Sequence, residues 1–352
     1  MKAMILKEFR ELRRDRLTMA MLIVLPIILL VIFGYAANFT TDTIATGAAG
    51  PQADAVAGGA PDLLEIVKTD AAATTQDAND WVRDNIADVV IDTNTTPATA
   101  YIDGSSLFTA QTAIVAFNAI PDDQLTVEVL YNPDLITSWV MVPALIGLIL
   151  TMIGTIVTSI GLVRERQTGT LEQLAVMPLT PSSVIFGKIA PYFILAGLDM
   201  LVVTLLGMWI FDVPFNGNPW LFAVGGAIFL FVVLGLGVLI STVAKTQAQA
   251  IQMAMFIMMP QILLSGFIFP LSAMPPAIAW IGYCLPLTYF VQISQGIMLR
   301  GADITSLWPA FVVLALMAVV IFTAAVLRFR RDLAPRAPRG HAAAPAEKAD
   351  AA

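Results

Sequence analysis

Long apolar runs separated by short polar breaks dominate this chain. Six runs, at about 18–38, 140–163, 183–211, 220–243, 249–271 and 306–327, each approach the roughly 20 residues that cross a bilayer as a helix. A seventh apolar stretch, Ala277–Leu299, is interrupted by Pro286 and carries Gln292 and Gln295. That pattern predicts a broken or re-entrant segment at about 277–299, covered by protein rather than lipid. Between the first and second runs the period changes. Leu64–Val67, Ala87–Ile91, Ala98–Ile102 and Leu125–Leu130 read as short strands, with helices over Ala78–Ile86 and Ser106–Ala119. Such alternation predicts a small α/β domain over 39–139, in which the Ala/Gly-rich stretch Thr46–Ala60 is expected to be looser. The fold class is therefore mainly α and polytopic: six transmembrane helices, with the α/β domain between the first two.

Composition agrees with the pattern. Of 352 residues, 58% are hydrophobic and only 13% charged, and the mean hydropathy is +0.80. One cysteine (Cys284) and one histidine (His341, in the polar tail) exclude an intrachain disulfide. They also leave no Cys/His metal set and no Ser-His-Asp or Cys-His pair in the spans, so an intramembrane hydrolase is disfavoured and no cofactor is expected on this chain. No nucleic-acid partner is expected.

Charge segregation sets the topology. Lys2, Lys7, Arg10, Arg13, Arg14 and Arg16 precede the first run. Arg164, Arg166, Lys188, Lys245, Arg328, Arg330, Arg331, Arg336 and Arg339 all fall on the same side if six spans are crossed. The positive-inside rule makes that side the cytoplasm, with both termini inside. On the opposite side Arg300 is the basic exception, and residues 39–139 hold fifteen Asp/Glu against Lys68 and Arg83. The leader, residues 1–17, places Ile5, Phe9 and Leu12 on one stripe and reads as an amphipathic helix at the cytoplasmic interface. Ala36-Ala37-Asn38 is a weak match to a cleavage site, but the long basic leader and full-length apolar run favour an uncleaved span at 18–38. The Ala/Pro-rich tail, 328–352, is expected to be cytoplasmic and disordered.

The most informative polar segment is the knot between the second and third runs, Arg164-Glu165-Arg166-Gln167-Thr168-Gly169-Thr170-Leu171-Glu172-Gln173-Leu174. Thr170 to Gln173 fits a capping box, Gly169 before it permits a sharp turn, and Pro178 ends the helix that the box begins. Thr180-Pro181 then reads as the start of the next helix. A short capped helix at about 164–178 is expected, exposed to water and available to a partner.

Leu162 to Leu174 with Met177-Pro178-Leu179-Thr180 resembles the pattern of ABC-2 type permeases, the membrane subunits of ATP-binding cassette exporters. Arg14-Asp15-Arg16 leading into Leu25-Pro26 and Phe33-Gly34-Tyr35 is similar to that family's first span. Tyr131-Asn132-Pro133-Asp134 with Val142-Pro143 resembles its return from the outside domain. Leu264–Pro270, Met274-Pro275 and Leu285–Tyr289 resemble its final third. The large outside domain looks like the drug- and lipid-exporting branch. One departure is Gln295, where many relatives have Arg before the glycine, here Gly296.

The resemblance implies that Arg164, Glu165, Arg166, Gly169, Thr170, Glu172 and Gln173 form the region that docks on an ATPase subunit. It implies two ATPase subunits per complex, carrying ATP and Mg, and a second copy of the permease or a related one, within membrane lipid of the inner (cytoplasmic) membrane. An extracytoplasmic adaptor on the acidic domain is a further expected partner class. The chain has no Walker A loop of its own: Gly187-Lys188-Ile189 lacks both the hydroxyl residue and the glycine spacing.

Within the runs, Asp199 is the acid furthest from water, and a charge there is costly enough to suggest function. Its competing role is a hydrogen-bonded or protonated acid facing Tyr192 or Thr204. Met255, Met259, Pro260 and Gln261 form a soft, bendable stretch suited to apolar cargo; ordinary packing is the alternative. Gly225, Gly226, Gly235 and Gly237 permit close helix approach, within the chain or at a dimer seam. An ATP-driven exporter of drug or lipid-like molecules is the reading these features favour. An ion-coupled secondary transporter would want more intramembrane carboxylates than Asp199 or an inverted repeat. A receptor or scaffold signalling through the outer domain is the third class.

Overall fold

The computed structural model describes residues 43–121, 124–168, 181–271 and 274–333. The leader and the expected first span, 18–38, lie outside those residues. So do Gly169 to Thr180, most of the knot, and the tail from residue 334.

The α/β domain opens with β1 (Ile44–Ala49), α1 (Ala53–Gly59), β2 (Leu64–Asp70), α2 (Thr75–Arg83) and β3 (Val89–Asp92). It continues with β4 (Ala98–Asp103), α3 (Leu107–Phe117) and β5 (Leu125–Leu130). The sheet order is β2-β1-β3-β4-β5, with β3 and β4 antiparallel and the other pairs parallel. On one face α1 and α3 cover Ile44, Leu64, Ile91 and Ile102; on the other, α2 sets Trp81 and Val82 over Ala49, Val90 and Tyr101.

The expectation that Thr46–Ala60 is loose is corrected. β1 is an inner strand, flanked by β2 and β3, and its residues are almost wholly buried. Its small side chains have a packing reason: a Cβ on Gly47 would meet the Trp81 ring at 3.0 Å and Val90 at 3.2 Å. The indole is held in turn by Lys68, whose Nζ lies 4.1 Å from the ring centroid. A strand covered on both faces loses the alternation by which strands are recognised. Helix α2 begins three residues before the expected Ala78 because Thr74 and Asp77 form a capping box.

The chain leaves the sheet through Asn132. Its Nδ2 donates to the carbonyls of Gly104 (3.3 Å) and Ile136 (3.2 Å), and its Oδ1 accepts from Ile136 N at 2.8 Å. This buried amide lets Tyr131 and Leu135 adopt positive φ (66° and 48°) and fixes the angle at which the domain meets the first described membrane helix.

Seven helices complete the described chain: α4 (Thr137–Gln167), α5 (Pro181–Phe211), α6 (Pro219–Val243), α7 (Gln247–Leu264), α8 (Pro276–Gly282), α9 (Pro286–Met298) and α10 (Ile304–Leu333). Among the described residues, Thr137–Gln167, Ile189–Phe211, Pro219–Val243 and Ile304–Arg328 are long and apolar enough to cross a membrane. α7, with four glutamines in 18 residues, is not one of them. It stops at Leu264, short of the expected 271, because Ser265 ends the helix and Gly266 turns with φ 84°.

α4, α6 and α10 run parallel. Gly154 and Gly237 of the first two lie against Val233 and Thr158, and Gly225 and Gly235 lie against Phe311 and Ile321 of α10. α5 runs the other way, with Gly161 against Tyr192 and Gly207 against Val142. The core between them holds Phe229 stacked on Phe290, centroids 4.5 Å apart. Outward, α5 and α10 present Ile194, Leu201, Trp209, Trp308 and Leu316 exposed, the inverse of a soluble protein and what a lipid solvent requires.

α9 spans about 20 Å at 1.5 Å per residue, too little to cross a bilayer of about 30 Å. It starts beside Phe229, inside the bundle, and ends level with the start of α6, where Asn216 N and Nδ2 donate to the carbonyls of Met298 (3.0 Å) and Leu299 (2.7 Å). Pro286 occupies its first turn, and the Thr288 hydroxyl donates 2.6 Å to the carbonyl of Gly282, fastening α9 to α8. The bundle therefore has a domain end, carrying the start of α4 and the end of α9, and a far end, carrying the end of α4.

Candidate functional site

At the far end, α4 continues past its apolar part to Arg164, Glu165, Arg166 and Gln167, capped by Thr168. Arg164 and Arg166 in the last turn suit the negative end of the helix dipole. The Thr168 hydroxyl donates back to the carbonyls of Arg164 and Glu165 at 3.1 and 3.2 Å. Gln167 ties this end to the α6–α7 turn: its Nε2 donates to the Lys245 carbonyl (3.3 Å), and its Oε1 accepts from Gln247 Nε2 (3.2 Å). Lys245 N also donates to Gln249 Oε1 (2.9 Å), and Thr246 caps α7. Arg164 is exposed and Glu165 and Arg166 are half-buried. Gly169, Thr170, Glu172 and Gln173 lie outside the described residues.

The intramembrane candidates do not converge. Asp199 is half-buried on α5, and its Oδ2 makes no hydrogen bond to a described residue. Its two expected partners are otherwise placed. The Thr204 hydroxyl donates to the Met200 carbonyl at 2.7 Å, and the Tyr192 hydroxyl lies at Gly161 of α4. On α7, Met255 is exposed, Met259 and Pro260 half-buried, and Gln261 wholly buried with both amide atoms lacking a described partner. A cavity of about 630 Å³ between α5 and α6 is lined by Phe193, Met200, Thr204, Met208, Phe222 and Leu230, and none of these five candidates borders it. The four glycines of α6 all meet residues of their own chain: Ile293 and Phe311, Met200, Ile321, and Thr158.

The domain end holds a polar cluster that the sequence marked only through the lone basic residue there. Arg300, just past α9, is nearly buried, and its Nη1 donates to Asn85 Oδ1 (2.9 Å), Asp103 Oδ2 (3.3 Å) and Ser105 Oγ (3.3 Å). It joins the α/β domain to the bundle through a buried ion pair. Asp88 shares this cluster. Burial and the neighbouring Asp103 push its carboxyl up from 3.8 to about 6, with Arg300 pulling the other way. Tyr131 is pushed up to about 12 by burial and by Asp103. Gln295, the departure from the family pattern, donates from Nε2 to the Val140 carbonyl at 3.0 Å and so braces α9 against the start of α4. Among the described residues no group of His, Cys, Asp and Glu could hold a metal ion.

Comparison with known proteins bears on this architecture. The family described as ABC-2 family transporter protein matches residues 16–327. The probable multidrug ABC transporter permease YbhR of Escherichia coli strain K12 is 36% identical over 212 residues, 60% of this chain and 58% of its own length. This chain thus spans under two thirds of that relative. YbhS of the same organism, also a probable multidrug ABC transporter permease, is 30% identical over 341 residues, covering 85% of this chain and 88% of YbhS. The inner membrane transport permease YhhJ, again from that strain, is 34% identical over 222 residues, 61% of this chain and 58% of its own. An apolar helical bundle, an α/β insertion and a family match across nearly the whole length lead to one conclusion: the chain belongs to the ABC-2 family of transporter proteins.

Proposed function

We propose that this protein is the permease subunit of an ATP-driven exporter that moves amphipathic or apolar molecules across the inner membrane. Two copies, or one copy with a related permease, enclose the pathway, and two separate ATPase subunits supply the energy. In this reading the chain crosses the membrane six times with both termini in the cytoplasm, and the α/β domain lies outside. The names of YbhR and YbhS, both probable multidrug permeases, support the cargo class.

The observation that carries the reading is the tie between Gln167 and the α6–α7 turn. A polar segment that merely linked two spans would need no such fastening. Because Gln167 is bound to Lys245 and Gln247, a push on residues 164–178 reaches α4, α6 and α7 together. The knot then serves as the docking element, through Arg164, Glu165, Arg166, Gly169, Thr170, Glu172 and Gln173, whose charged groups suit charge-assisted contacts with a soluble partner.

The test is the Glu165→Ala, Glu172→Ala double variant, co-expressed with a candidate ABC ATPase that co-purifies with the wild-type chain. It is expected to reduce ATPase co-purification or to leave hydrolysis uncoupled from dye transport in vesicles. Unchanged assembly and unchanged transport would sink the docking assignment.

A further inference from the structure

Where the α/β domain meets the bundle there is a cavity of about 160 Å³. Its polar wall includes Asp88, Ser265, Gln292, Gln295 and Arg300; Phe108, Phe267 and Leu271 are among its apolar residues. Two of the polar groups are deeply buried yet unpaired among the described residues. The side chain of Arg300 is 8% exposed and its Nε has no acceptor. Ser265 is 1% exposed and its hydroxyl has no partner. Buried polar atoms are rarely left so, and two on one cavity wall indicate a group that belongs there.

The charges define that group. Asp103 is satisfied, by Arg300 on one oxygen and by Ser105 N at 2.8 Å on the other. Asp88 forms no ion pair among the described residues; the charge of Arg300, already paired with Asp103, and a backbone hydrogen bond at Ala45 are what favour its ionised form. Arg300 and Asp103 cancel, so the negative charge of Asp88 is left over. Gln295 commits its amide nitrogen to Val140 and keeps its carbonyl oxygen. The wall therefore offers acceptors for a cation and, at Arg300 Nε, a donor for an oxygen.

We propose that this junction cavity binds an ammonium-bearing head group that also carries an oxygen acceptor. The ammonium sits against Asp88 and the Gln295 carbonyl, and the oxygen against Arg300 Nε and the Ser265 hydroxyl. The apolar body leaves past Phe267 and Leu271. The size fits a head rather than a whole cargo molecule: drug-sized ligands need about 300 Å³ or more. This chemistry is shared by an ethanolamine phospholipid at the membrane surface and by an amphipathic amine passing as cargo. The site does not depend on the export reading.

Asp88 is faced by Asp103 at the end of β4, by Arg300 after α9, by Asn85 after α2 and by Ser105. Protonating it removes the counter-charge, so binding should weaken in acid. The experiment measures retention by native mass spectrometry of three probes on the purified full-length chain in non-ionic detergent. They are dioctanoyl phosphatidylethanolamine, dioctanoyl phosphatidylglycerol, and 2-(octylamino)ethanol. At pH 7.5 the ethanolamine lipid should bind and the glycerol lipid, with the same phosphate but no ammonium, should bind about tenfold more weakly. Asp88→Asn, or wild type at pH 5, should erase that preference. Retention of the amino alcohol as well assigns the site to amphipathic amines generally; its exclusion assigns it to the lipid head. Should Asp88→Asn unfold, the wild-type pH comparison stands alone. Equal binding of both lipids, or a preference that survives both Asp88→Asn and pH 5, overturns the proposal.

Discussion

Replacing Arg300 with Met probes how the α/β domain is held. Methionine keeps the apolar stem but ends short of the guanidinium, so the loss is one charge, its donors and the contacts of that end group. Nη1 carries two protons but faces three acceptors, at 2.9, 3.3 and 3.3 Å. At most two full bonds can be credited, and a hydrogen bond to a charged group is worth about 1.5–3 kcal/mol. The sum, about 3–6 kcal/mol, spans the usual cost of about 3–5 kcal/mol for removing one partner from a buried pair. Two features hold the cost towards the lower end. Asp103 keeps Ser105 N, and the freed Asp88 can take up a proton. A loss of about 3 kcal/mol corresponds to about a hundredfold faster exchange of amides protected by docking. Ser105 N and Ser106 N, both bonded to Asp103, are the reporters. Hydrogen exchange on the full-length protein should show that acceleration at residues 103–106 and none in β1 or β3. The Arg300→Met, Asp103→Asn double variant should recover part of it, because the stranded carboxylate is gone. Unchanged exchange at Ser105 and Ser106 in the single variant would refute the view that this ion pair fastens the domain.

Asp88 predicts a pH dependence of opposite sign to most carboxylates. Its folded value of about 6 exceeds the ordinary 3.8, so the native state holds a proton the unfolded chain has released. Its contribution to stability is thus fully present below about pH 4 and is lost as pH rises through about 6, by roughly 3 kcal/mol before screening. Denaturation of wild type minus Asp88→Asn, followed from pH 4.5 to 7.5, should show that slope; a flat difference would remove it. Gly237→Ala would place a Cβ 2.8 Å from Thr158 Cβ and 3.0 Å from the carbonyls of Gly154 and Thr155. Since a backbone cannot swing aside, it should cost about 1–3 kcal/mol, seen as a lower Tm in detergent, whereas Gly58→Ala, with nothing within 4 Å, should not lower it. Gln261→Met removes two buried amide atoms that lack a described partner, so stability should hold or rise by about 1 kcal/mol; a marked fall in Tm would mean the amide is satisfied by groups beyond the described residues.

The sequence was most legible where one periodicity ruled. Runs of apolar residues marked α4, α5, α6 and α10 to within a few residues, because lipid permits few exceptions. The α/β domain was readable in class, and β2, β4 and β5 in position. β1 was missed because an inner parallel strand that has only Ala, Thr and Gly after Ile44 lacks both alternation and bulk. Its placement depends on Trp81, 34 residues beyond Gly47, a long-range packing fact. The polar cluster around Arg300 was missed for the same reason. Asn85, Asp88, Asp103 and Arg300 meet only in three dimensions, and each looks ordinary alone. One signal was available: a single arginine on the side otherwise almost free of cations required a partner to hold it there.

α4 carries a mechanical consequence. It is one helix of 31 residues, about 46 Å long at 1.5 Å per residue. Asn132 clamps its beginning to the sheet, and Gln167 fastens its end to the α6–α7 turn. The one proline within it, Pro143, sits near the domain end, where a missing hydrogen bond makes bending easiest. A pivot there converts a rotation of about 10° into a sweep of roughly 6 Å at the far end, more than one helical turn of pitch. The same gearing works in reverse: several ångströms of travel where the knot begins become only a slight twist under the sheet. The domain is thus placed to ride on the moving bundle almost undisturbed.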